Sequence, residues 1–135
     1  MLADEAPDAE HESGWLGHDA RSAYRLAAES DAAAWQHHEV LDGTVTLGFG
    51  TVPRPLAAAV HLTEVVIHGV DIALAIRRPD LVDEDLCAAL LDAMHGMGGL
   101  DPFRVPGMFG SQTPVPADAA PHQRLLAYAG RAVEA

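Results

Sequence analysis

Four residues within one short stretch carry chemistry: His61, Glu64, His68 and Asp71. They follow steps of three, four and three, which on a helix aligns them in one narrow stripe. Glu64 and His68 are one turn apart, roughly 6 Å along the axis, so both can reach a single ion. His61 and His68 are two turns apart, roughly 10.5 Å, which strains one coordination shell. Asp71 lies a turn beyond His68 and can accept its second ring N–H, fixing tautomer and orientation. The spacing therefore assigns Glu64 and His68 as metal ligands and Asp71 as their support, with His61 a weaker candidate. The pattern is not the HExxH of zinc proteases, because His61 is followed by E-x-x-x-H. Polar residues one turn apart are also what an ordinary wet helix face looks like, and that reading stays open.

The element that must position them runs from Pro55 to Ile76, PLAAAVHLTEVVIHGVDIALAI. It has no Lys or Arg, and only Glu64 and Asp71 are charged. Prolines precede it and Arg77-Arg78-Pro79 ends it. At about 100° per residue its apolar side chains point almost all round, which predicts a buried central helix. Four polar groups aligned on a buried helix are costly unless they share a partner, and a metal ion is the obvious one. The segment is nearly long enough to span a bilayer, but two acids and two histidines at its centre argue against a membrane.

The chain of 135 residues fits one domain. Aromatics are 5%, so Leu, Val, Ala and Met must fill the core, and helix-on-helix packing is expected. The net charge is −12 and there is no lysine, opposite to a protein that grips nucleic-acid phosphates. Cys87 is the only cysteine, so no internal disulfide forms; its Leu and Ala neighbours predict a buried, inert thiol. No basic and apolar leader opens the sequence, and a cytoplasmic location is expected.

Residues 1–17 are acidic and short of large apolar side chains, which predicts a mobile tail ahead of a helical domain over 18–135. A first helix is expected from about Ala20 to Val40, capped by Asp19, with Trp35 in the core. Thr44 to Pro53 reads as a short hairpin or extended loop feeding the central helix. A third helix starts behind Asp83-Glu84-Asp85 and stops at Gly98-Gly99. Residues 101–116 read as a Pro/Gly-rich wrapping loop, and a last helix runs from Pro121 to Ala129, ended by Gly130. Arg124 and Arg131 are expected as surface charges.

Three segments together, TVTLGFGTVP, HLTEVVIHGVDIALA and FGSQTPVPADAAPHQRLLAYAGR, resemble the metal-binding domain of the mycothiol-dependent maleylpyruvate isomerase family, one of the DinB-like, YfiT-like four-helix bundles. The likeness runs from about Trp15 to the C-terminus, and H-x-x-E-x-x-x-H-G-x-D is its most specific part. The resemblance implies an all-α, DinB-like bundle with a divalent metal, zinc first and nickel another option. Glu64 and His68 stand at the positions of two ligands. It also implies a small thiol such as mycothiol and an isomerase- or transferase-like chemistry. Val70 replaces a common Trp, which bears on pocket shape. The family's first helix, which carries a third ligand histidine, has no counterpart, so the bundle looks truncated. His18 in GWLGHDAR, or His37 or His38, would have to substitute; otherwise a second subunit completes the site, or the site is vestigial in a non-catalytic bundle. A face left bare by a missing helix predicts a homodimer.

Overall fold

The computed structural model describes residue 14, residues 16–48 and residues 50–133. The expected acidic tail lies mostly outside them. The elements run in the order α1 (Ala20–Ala34), β1 (Thr44–Leu47), β2 (Gly50–Pro53), α2 (Arg54–Ala75), α3 (Glu84–Gly96) and α4 (Pro121–Tyr128). Short 3-10 turns at His38–Leu41, Pro79–Leu81 and Asp101–Phe103 join them. The chain is thus mostly helical with one small two-stranded sheet. Its contacts divide it into two units, residues 1–58 and 59–135.

In the first unit, Asp19 caps α1 by accepting hydrogen bonds from Ser22 N–H at 3.1 Å and Ser22 Oγ at 2.7 Å. These bonds hold the Asp19 carboxyl below the usual carboxylate range. The helix ends at Ala34, earlier than the sequence suggests, and gives way to the turn at His38–Leu41. No residue of α1 is buried. Trp35 is half-buried at its end, not a core residue, and donates from Nε1 to Asp31 at 3.1 Å. The expected hairpin forms: β1 and β2 pair antiparallel, Thr44 opposite Pro53 and Leu47 opposite Gly50. Thr46 and Thr51 face each other with their hydroxyls 2.9 Å apart. Arg54, the first residue of α2, is tied to the hairpin through its N–H to Gly43 O and its Nε to Thr44 O.

The second unit holds the core. Ile67 and Val70 of α2 pack with Cys87, Leu90 and Met94 of α3 and with Leu125, Leu126 and Tyr128 of α4. Leu100 and Phe109 close it from the intervening loop. Thr63 is fully buried, and its hydroxyl donates to Ala59 O at 2.7 Å and approaches Met94 Sδ at 3.4 Å. Tyr128 ties the loop down: its hydroxyl accepts the Leu100 N–H at 2.8 Å, and its carbonyl accepts from Arg104 Nη2 at 2.9 Å. The Arg104 guanidinium also lies over the Tyr128 ring, 5.2 Å from its centroid.

Three helices end in the same way. After α2, Arg77 N–H bonds to Leu74 O and Arg78 N–H to Ala73 O; after α3, Gly98 and Gly99 do so to His95 and Met94; after α4, Gly130 and Arg131 do so to Ala127 and Leu126. Each is a Schellman closure, which needs a left-handed residue. Gly98 and Gly130 supply it freely, whereas Arg77 adopts φ 58 despite its side chain.

The expectation for α2 is corrected too. The central helix is not buried all round. Its inner face, Thr63, Ile67, Val70 and Ala73, is buried, but Val65, Ile72 and Ile76 are 51%, 62% and 57% exposed. The apolar run covers two faces of the helix, and the second unit packs on only one of them.

Candidate metal site

Glu64, His68 and Asp71 lie on α2 in the second unit, beside the buried face. His68 Nε2 is 3.2 Å from Glu64 Oε2, and His68 Nδ1 is 3.6 Å from Asp71 Oδ2. The imidazole is thus flanked by two carboxylates, one turn before it and one turn after. Two ligands each about 2.0–2.1 Å from a zinc ion at a tetrahedral angle are about 3.3 Å apart. The His68–Glu64 separation is close to that edge length. It is equally the separation of a direct ion pair between a carboxylate and an imidazole one turn apart.

Asp71 has a second partner that spacing did not reveal. Arg131, just past α4, donates from Nε to Asp71 Oδ2 at 3.0 Å, across 60 positions of sequence. The expectation that Arg131 is a plain surface charge is therefore corrected. At 3.6 Å the Asp71–His68 contact is an ion-pair distance and longer than a hydrogen bond. Asp71 serves the arginine more directly than the histidine, and the arginine brings a positive charge to the edge of the site.

The pair is open to water, with the His68 and Glu64 side chains 61% and 49% exposed. His61 is exposed two turns earlier on the same helix. His18 and His37 are exposed residues of the first unit. Among the described residues, no group of three or more His, Cys, Asp or Glu side chains gathers where it could hold a metal. The stripe thus offers two donors in contact with each other and a third group engaged by Arg131.

Other histidines have structural partners. His122 at the start of α4 binds Glu84 at the start of α3 twice, through its N–H to Oε2 at 2.9 Å and through Nδ1 to Oε1 at 2.5 Å. This clasp joins the two helix starts across 38 positions, a pairing no local motif announces. His95 meets the Tyr128 ring edge-on at 4.6 Å. Cys87 is buried as expected; burial pushes its thiol pKa up, and the charges of Glu84 and Asp83 add to that. A loop concavity of about 300 Å³ is lined by Arg104, Met108, Phe109 and their neighbours, and none of the stripe residues lines it.

No family model matches the chain, and no solved structure matches it. It is similar to two Mycobacterium tuberculosis proteins from different strains, the uncharacterized proteins MT0763 and Rv0738. Each is 31% identical over 115 residues, covering 80% of this chain and 63% of the relative. The chain therefore spans less than two thirds of the length of these curated relatives.

Proposed function

We propose that the protein is a divalent-cation-binding helical bundle of the DinB-like kind, with Glu64 and His68 as ligands and zinc as the preferred ion. The single observation that supports this is the 3.2 Å approach of His68 Nε2 to Glu64 Oε2 on one helix face. A carboxylate oxygen and an imidazole nitrogen suit zinc and nickel. Asp71 and Arg131 set the charge at the edge of the site, and the ion's remaining positions are left to water, a substrate or a partner.

On the resemblance to the mycothiol-dependent isomerases, the ion would take a small thiol. A bound metal favours the thiolate, the form that adds to an unsaturated acid. The reading then is a thiol-dependent isomerase- or transferase-like protein of the cytoplasm, acting as a homodimer. A second reading, a non-catalytic bundle, is favoured by the half-exposed pair, since acid–base and electrostatic catalysis gain most in sites that exclude water.

Elemental analysis of the purified chain tests the proposal. Bound zinc or nickel, lost in Glu64→Ala and in His68→Ala, supports it; a folded chain that takes up neither ion contradicts it. Thiol-consumption assays with mycothiol then divide the enzyme from the non-catalytic bundle.

A further inference from the structure

We draw no further inference here: the strongest candidate, the exposed apolar face of α2 formed by Leu62, Val65, Ile72 and Ile76, carries no proposal, since nothing in the structure shows what covers it.

Discussion

Arg131 Nε donates to Asp71 Oδ2 at 3.0 Å, and the same oxygen stands 3.6 Å from His68 Nδ1. One carboxylate is thereby shared between a permanent cation and a candidate ligand. Removing the arginine should return Asp71 to the histidine and take a positive charge from the site. Arg131→Ala is expected to bind zinc several-fold more tightly by calorimetric titration. Its stability should change by no more than about 1 kcal/mol, because both partners are partly exposed. Unchanged or weaker zinc binding would remove Arg131 from the electrostatics of the site.

Arg77 holds φ 58, a conformation that costs a side-chain-bearing residue roughly 1 kcal/mol relative to glycine. Arg77→Gly should therefore raise stability by about that amount in urea unfolding, with the slope of the transition unchanged. Gly130 is the opposite case: φ is +87, and a Cβ there would lie 2.7 Å from the Gly110 backbone. Gly130→Ala should cost roughly 1–3 kcal/mol or more.

Tyr128 is buried, and its hydroxyl accepts the Leu100 N–H at 2.8 Å. Tyr128→Phe leaves that buried donor without its acceptor and should destabilise by roughly 1–3 kcal/mol. Hydrogen exchange at the Leu100 amide should accelerate in the variant; unaltered protection would mean that the bond contributes little.

The Cys87 thiol pKa is raised by burial first and then by Glu84 and Asp83. In the native state it should resist a thiol reagent at pH 8 and react on denaturation. The sign of the linkage follows. The neutral thiol favours the fold fully below the ordinary thiol range. As pH rises through that range towards the raised native value, the unfolded chain loses its proton first, so this contribution is lost. Cys87→Ala should flatten that alkaline decline in stability; an unchanged alkaline profile would assign the decline to other groups.

Much of the fold is written locally. Asp19 and Asp83 sit where helices begin, Gly98 and Gly130 where they end, and the Thr-Val alternation of 44–52 makes its hairpin. These signals act within a few residues, so they survive reading one segment at a time. The stripe of Glu64, His68 and Asp71 is legible for the same reason. The exposure of the apolar outer face of α2 was not. An apolar run such as Val65 to Ile76 reads the same whether its outer face meets protein or water, since periodicity records polarity and not neighbours. The Arg131–Asp71 and His122–Glu84 pairs were hidden for a related reason. Each joins residues brought together only by the packing of α2, α3 and α4, and neither leaves a trace in local spacing.

One carboxylate and one imidazole, a turn apart on α2, are proposed to hold a divalent cation. Isothermal titration of the metal-free chain with zinc tests it most directly, with Glu64→Ala and His68→Ala alongside and circular dichroism as the check on folding. Saturable binding is expected in the parent chain, and its loss in both variants with helix content unchanged. Binding that survives both substitutions, or a parent chain that takes up no zinc, would contradict it.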